Sequence, residues 1–228
     1  MKICNPFKSL SKFELALWLS SIFVVMLSFF STSESNDLTL AASLIGVTAL
    51  IFVSKGHVFG QILTVIFSMF YGIISFKFHY YGEMITYLGM TTPIAILSVI
   101  TWLKNPYNGT PEVKVRRLSA KQILWLALST AAVTIIFYFI LKACGTANLI
   151  ISTVSIATSF SASCLTMLRS PSYALAYAAN DVVLIILWIL AAVENIAYLP
   201  MIICFIMFLL NDTYGFFNWR KMQKRQSS

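Results

Sequence analysis

Charged residues are scarce in this chain, and their scarcity excludes most classes of soluble protein. Only 11% of the 228 residues are charged, whereas 59% are hydrophobic, and the mean hydropathy is +0.83. Soluble domains carry about 25% charged residues. The composition therefore predicts an integral membrane protein that has the lipid bilayer as its surroundings.

Cysteine, glycine and the motifs of catalysis are also sparse. The four cysteines (Cys4, Cys144, Cys164 and Cys204) are far apart in sequence, so neither a disulfide framework nor a metal site is expected. The nine glycines form no phosphate-binding loop, and neither His-Glu-x-x-His nor Gly-x-Ser-x-Gly occurs. We therefore expect no enzyme activity, no cofactor and no metal.

Eight hydrophobic stretches are each about long enough to cross a bilayer as a helix. With eight crossings, fourteen of the 16 basic residues fall on one side of the membrane, and only Lys77 and Lys142 fall on the other. The positive-inside rule then places both termini in the cytoplasm. The net charge of +8 is thereby explained without a nucleic-acid partner. The stretches are residues 14–31, 38–54, 59–76, 83–103, 121–142, 147–167, 172–193 and 196–219.

Two groups of three stretches share one pattern, which predicts an internal repeat. Residues 38–103 form the first group and residues 147–219 the second, with 121–142 as a linker helix and 14–31 as an additional N-terminal helix. An offset of four crossings restores the same direction through the bilayer, so the repeats are parallel. In each group a basic turn follows the first helix, an acidic residue precedes the third, and Trp with a cation ends it: Lys55, Glu83 and Trp102-Leu103-Lys104, then Arg169, Glu194 and Trp219-Arg220-Lys221.

Polar residues inside the last two stretches indicate a binding site. Amides and carboxylates in hydrocarbon are costly, and they normally face a bundle interior or a cavity. Asn180 and Asn211 are expected at about the same depth, beside aromatic rings, which suits a ligand with a flat ring and hydrogen-bonding groups. The alternative is that these residues only hold helices together. The candidate residues are Tyr173, Tyr177 and Asn180 in the seventh stretch and Asn211, Tyr214 and Asn218 in the eighth.

Three further polar residues have less certain roles by sequence. Asp181 and Asp212 are intramembrane carboxylates of the kind that form proton relays or gates, but neutral, hydrogen-bonded Asp side chains need no transport role. Gln61 is the one residue of the first repeat that we expect to contact a ligand. The Ser and Thr residues of that repeat are expected to bond to their own helix backbone.

The last stretch resembles a known family of transporters. Asn211-x-x-Tyr214-Gly215-x-x-Asn218-Trp219-Arg220-Lys221 is similar to the last core helix of the PnuC-type vitamin and nucleoside transporters, and Gly60 through Tyr81-Gly82 to Trp102-Leu103-Lys104 is similar to their first repeat. The resemblance covers about residues 38–222. It implies an all-α, SWEET-like arrangement of 3+1+3 core helices in a bacterial cytoplasmic membrane. It also implies facilitated diffusion, typically of nicotinamide riboside, which a cytoplasmic kinase traps by phosphorylation.

The seventh stretch departs from that family. Nicotinamide riboside carriers often have Trp-x-x-Trp-x-x-x-Asn there, and this chain has Tyr173-x-x-Ala176-x-x-x-Asn180. A deoxyribonucleoside, thiamine or riboflavin therefore stays open as the substrate. Two other functions also stay open: a proton-coupled sugar or amino-acid carrier that uses Asp181, and a membrane scaffold without a ligand. The sequence leaves the oligomeric state undetermined, a homo-oligomer included.

Overall fold

The structure, a computed structural model, describes residues 6–31, 37–77 and 81–227. Over these ranges it is all helical apart from loops and two isolated β-bridges. Eight helical segments among the described residues are long and apolar enough to cross a membrane, which confirms the prediction of eight stretches. Lys2, Cys4 and Glu34, which enter the charge and cysteine counts, lie outside the described residues.

The helices follow the predicted stretches closely, with one extension at the C-terminal end. The last helix was expected to end near residue 219 but continues to Ser227, because Gln226 hydrogen-bonds to Glu112 and to the backbone of Val113. The helices are α1 (Lys12–Phe30), α2 (Asp37–Ser54), α3 (Val58–Lys77), α4 (Tyr81–Thr86), α5 (Thr92–Leu103), α6 (Ala120–Ala143), α7 (Leu149–Met167), α8 (Tyr173–Glu194) and α9 (Leu199–Ser227).

The fourth membrane crossing is interrupted by one π-helical turn. Residues Tyr87–Thr91 connect α4 to α5, and the backbone N–H of Thr92 donates to the carbonyl of Tyr87, five residues earlier. Pro93 follows directly and has no N–H to donate, so it cannot complete a regular α-helical bond here. Single π-turns of this kind occur frequently at functional sites.

The turns after α2 and after α7 have the same backbone structure. Gly56 and Arg169 both have a left-handed φ, 66° and 60°, and each donates its N–H at 2.9 Å to the residue three earlier, Val53 and Thr166. Glycine adopts this conformation freely, whereas it costs Arg169 about 1 kcal/mol. The loop of residues 104–119 contacts both turns, because Val113 donates to the carbonyl of Gly56 and Arg116 to that of Arg169.

Two tryptophans connect the two halves of the bundle reciprocally at this end, which we call the basic end. Trp102, near the end of α5, donates its indole N–H to the carbonyl of Thr166 in α7 at 3.0 Å. Trp219 of α9 donates to the carbonyl of Val53 in α2 at 2.9 Å. Both indoles are fully buried. The 3+1+3 repeat stays a prediction. The reciprocal contacts support it, because each predicted repeat makes the same kind of bond to the other.

Helices α6 and α1, which lie outside the two predicted repeats, are at the periphery of the bundle. Helix α6 packs mainly on α7 and buries only Leu141 among its own residues, so its remaining surface is left for lipid. Helix α1 packs against α2 and α9. Its N-terminus is fixed by a capping box in which the Ser11 and Glu14 side chains each accept a hydrogen bond from the other's backbone N–H.

Candidate functional site

A cavity lies at the centre of the bundle, between the two halves. Helices α2 and α3 and the π-turn line one side of it, and α7, α8 and α9 line the other. Its volume is about 60 Å³. The cavity is thus narrow in this conformation. Its ring-bearing and polar lining consists of Phe67, Tyr87, Tyr177, Phe205 and Phe208, with Gln61, Thr64, Thr91, Ser159, Ser163, Asn180, Asp181 and Asp212.

Asn180 is held in one orientation at the cavity wall. Its side-chain carbonyl accepts hydrogen bonds from the hydroxyls of Thr158 and Ser159, both at 2.8 Å. The residue is only 3% exposed, and its amide nitrogen makes no side-chain hydrogen bond to another described residue. Asn180 therefore presents a fixed N–H donor to whatever occupies the cavity.

Gln61 and Tyr177 place further polar groups around the cavity. Gln61, on α3, is 2% exposed, and its amide makes no hydrogen bond to another described residue. The hydroxyl of Tyr177, on α8, lies 3.2 Å from the hydroxyl of Ser163. The first half of the bundle thus supplies the Gln61 amide, which has both a donor and an acceptor, and the second half supplies Asn180 and the Tyr177 phenol. A few well-placed polar groups of this kind are expected of a ligand site.

Two carboxyl groups complete the polar part of the cavity. Asp181 on α8 and Asp212 on α9 lie within hydrogen-bonding range of each other, and both are buried. One oxygen of Asp181 has no hydrogen-bond partner among the described residues. The structure thus brings together the two intramembrane carboxyl groups whose roles the sequence left open.

Sequence reasoning missed the contribution of the π-turn. Tyr87 and Thr91 both line the cavity, and the Thr91 hydroxyl has no partner among the described residues. The ring of Tyr87 lies 4.2 Å, centroid to centroid, from that of Tyr71, whose hydroxyl accepts a hydrogen bond from Trp188 at 3.1 Å. The Thr-Thr-Pro sequence at residues 91–93 was the available signal.

Three predicted site residues share one face of α9 and do not line this cavity: Asn211, Tyr214 and Asn218, which we call the α9 stripe. Asn211 donates to the hydroxyl of Ser21 in α1 at 3.0 Å and to the carbonyl of Met207 at 2.8 Å. The Tyr214 hydroxyl donates to the Glu14 carboxylate, also in α1, at 2.8 Å. Asn211 and Tyr214 therefore attach α1 to α9.

Two more predicted residues lie at the basic end. Asn218 donates to the backbone carbonyl of Ser54 at 2.8 Å, at the end of α2. Tyr173 is fully buried against Trp219, with ring centroids 4.7 Å apart, and its hydroxyl closely approaches Gly215. Any side chain at Gly215 would crowd that hydroxyl, which explains the glycine. Of the nine predicted residues, the structure brings Gln61, Tyr177, Asn180, Asp181 and Asp212 to the cavity.

A bundle of apolar membrane-crossing helices around a polar, ring-lined cavity defines the class of protein: it is a membrane transporter. The profile of the family described as nicotinamide mononucleotide transporter matches residues 36–221, and the chain belongs to this family. The resemblance inferred from the last helix is thus confirmed.

Similar proteins agree with this assignment. The chain is 27% identical to the nicotinamide riboside transporter PnuC of Neisseria mucosa, over 93% of this chain and 82% of that protein. It is 24% identical to the nicotinamide riboside transporter PnuC of Haemophilus influenzae, over 92% and 90%. The crystal structure of the vitamin B3 transporter PnuC matches with a TM-score of 0.83 at 26% identity, covering 96% of this chain and 94% of that one.

Proposed function

We propose that the protein carries nicotinamide riboside across the cytoplasmic membrane by facilitated diffusion. The observation that supports this proposal best is the central cavity, where the Asn180 amide, the Gln61 amide and the Tyr177 phenol lie among aromatic rings. A nucleoside has a flat ring that stacks and ribose hydroxyls that pair with amides and phenols. Two relatives that align over most of the chain are named for the same substrate.

The phosphorylated nucleotide, for which the family is described, fits the cavity less well. Proteins bind phosphate with arginine, lysine or helix N-termini. Among the described residues that line this cavity none is Lys, Arg or His, whereas two are aspartates. A nucleoside without phosphate is therefore the better substrate on the grounds of charge.

The direction of net uptake follows from orientation and trapping. The loop of residues 104–119 and the end of α9 meet at the basic end. The positive-inside rule supports a cytoplasmic position for this end, because most cations lie there. A carrier without coupling only equilibrates its substrate. A cytoplasmic kinase that phosphorylates the nucleoside then keeps the internal concentration low and sustains uptake.

The internal repeat belongs to this proposal. Residues 38–103 and 147–219 form two parallel three-helix units, α6 links them, and α1 is an addition outside the repeats. The matching turns at Gly56 and Arg169 and the reciprocal bonds of Trp102 and Trp219 support this division. Alternating access would then be a rocking of one unit against the other around the cavity.

A calorimetric titration of the purified protein tests the substrate. Nicotinamide riboside should bind saturably, and nicotinamide mononucleotide, thymidine, thiamine and riboflavin should bind more weakly or not at all. If one of the other four compounds binds more tightly, that compound is the substrate and the proposal of nicotinamide riboside is wrong. No saturable binding of any of them would favour a scaffold.

A proton-coupled carrier is the second candidate, and the Asp181–Asp212 pair in the cavity is the observation that favours it. Intramembrane carboxylates mark proton relays in many transporters. Uptake into proteoliposomes that is driven by an imposed pH gradient would support this candidate. Equilibration that ignores the gradient would support the uncoupled carrier.

A further inference from the structure

The carboxyl pair of Asp181 and Asp212 has no basic side chain beside it among the described residues that line the cavity. The two groups lie within hydrogen-bonding range of each other on neighbouring helices, and each residue is only 3% exposed. One oxygen of Asp181 is buried, lines the cavity region and has no hydrogen-bond partner among the described residues. An unpartnered buried carboxylate oxygen is costly unless a ligand satisfies it.

Within the described ranges, the ionisable groups near the pair on the surrounding elements are all acids. Tyr87 on the π-turn and Cys204 on α9 lie near Asp181, and Tyr173 and Tyr177 on α8 lie near Asp212. None of them carries a positive charge at any pH. The described lining of the cavity likewise contains no basic side chain.

Two facing carboxyl groups in such surroundings either share a proton or need a cation beside them. The cavity also offers the ring faces that a flat cation prefers, from Phe67, Tyr87 and Tyr177. Nicotinamide riboside has a pyridinium ring with a fixed positive charge. Its reduced form has the same atoms in the ring, but that ring is an uncharged dihydropyridine.

We propose that Asp181 and Asp212 recognise the positive charge of the pyridinium ring and make the carrier selective for the oxidised, cationic nucleoside. This inference rests on the proposed function, since it names the part of nicotinamide riboside that the pair contacts. Asn180, Gln61 and Tyr177 then hold the ribose and the carboxamide. The same negative pair repels the phosphate of the mononucleotide, because like charges disfavour each other at close range in a poorly solvated site.

The test compares nicotinamide riboside with its reduced form by calorimetric titration of the full-length protein. The wild type should bind the cationic form about tenfold tighter or more, as expected for a desolvated charge contact. Asp181→Asn and Asp212→Asn keep the side-chain shape and remove the charge. Each variant should lose affinity for the cation while its affinity for the neutral form stays within about threefold, because the neutral ring makes no charge contact.

Glu194→Gln is the matched control, because Glu194 is an exposed carboxylate at the far end of α8. This variant should keep the wild-type preference. Equal affinity of the wild type for both forms would overturn the inference and leave the proposed function standing, and this comparison does not require that any variant folds. An equal loss for both forms in the Asp variants would also overturn it, since the pair would then be only a structural link. Failure of the wild type to bind either form would overturn the proposed function itself.

Discussion

The indole rings of Trp102 and Trp219 lie 5.5 Å apart, centroid to centroid, where the two halves of the bundle meet at the basic end. Each indole donates a hydrogen bond to the half of the protein to which it does not belong. At the opposite end of the cavity, Trp188 donates to Tyr71 and joins α8 to α3. Hydrogen bonds from three buried tryptophans thus join the two halves of the bundle.

Removing one indole N–H should weaken the contact between the two halves of the bundle at the basic end. Trp102→Phe and Trp219→Phe should each lower the free energy of unfolding by about 2 kcal/mol, because a buried backbone carbonyl loses its donor and the smaller ring leaves space. Thermal unfolding in detergent measures this loss. Trp125→Phe is the control, since Trp125 is 72% exposed on α6 and should change little. A large loss at only one of the two buried positions would argue that they are not equivalent.

The two asparagines that the sequence paired should separate in function. Asn180→Ala should weaken binding of nicotinamide riboside by about 1–3 kcal/mol, because a ligand group loses its donor in the cavity. Asn211→Ala should leave the affinity near that of the wild type, because Asn211 bonds to Ser21. It should instead lower thermal stability, as should Ser21→Ala. Calorimetry and thermal unfolding of the three variants together check this, and an affinity loss in Asn211→Ala would restore it to the site.

The attachment of α1 should depend on one buried carboxylate. Glu14 accepts hydrogen bonds from Lys55, at 2.8 and 3.0 Å, and from Tyr214. Glu14→Gln should lower the free energy of unfolding by about 2 kcal/mol or more, because Lys55 keeps a half-buried charge without its partner. Glu194→Gln should have almost no effect. Affinity for nicotinamide riboside should be unchanged, since α1 does not line the cavity, and a parallel loss of affinity would contradict this placement.

Acidic pH should destabilise the turn between α2 and α3 through His57. Burial and, to a smaller extent, nearby Lys55 lower the pKa of His57 from its ordinary value of 6.5. The folded state thus favours neutral imidazole, whose Nδ1 accepts a bond from the N–H of Phe59 at 3.1 Å. The stability that this contributes is complete above pH 6.5 and is lost as the pH falls through the lowered pKa. Thermal unfolding at about pH 7.5 and about pH 5.5 should show a smaller acid-induced loss in His57→Asn than in the wild type. An equal loss in both would exclude His57 as the cause.

The helices could be predicted because each one is determined by the residues of a single segment of the chain. A run of apolar residues of the right length, bounded by charges, forms a membrane-crossing helix almost regardless of its neighbours, since every backbone group is satisfied within the helix. The sequence also singled out Trp102 and Trp219, because each precedes a cation at the same point of its repeat, but their reciprocal hydrogen bonds are visible only in the structure. Asn180 lines the cavity, and the sequence singled it out because its helix has few other polar residues at mid-depth.

The role of the α9 stripe could not be predicted from the same information. Periodicity shows that Asn211, Tyr214 and Asn218 share a face and need polar partners, but not which partners satisfy them. Ser21 and Glu14 supply the partners of Asn211 and Tyr214, and they belong to α1, which the sequence placed outside the repeats. Asn218 bonds instead to the backbone of Ser54 in α2. The π-turn was not predicted, although Pro93 follows it directly; in the structure the hydroxyls of Thr92 and Ser68 lie 2.8 Å apart beside it.

Counterflow in proteoliposomes tests the central claim most directly. Vesicles preloaded with unlabelled nicotinamide riboside should transiently accumulate the labelled compound from outside, and an imposed pH gradient should not change the rate. The same vesicles with Asn180→Ala should accumulate far less, whereas Asn211→Ala should match the wild type. Absence of counterflow in the wild type would contradict the assignment as a nicotinamide riboside carrier, and accumulation that follows the pH gradient would contradict uncoupled diffusion.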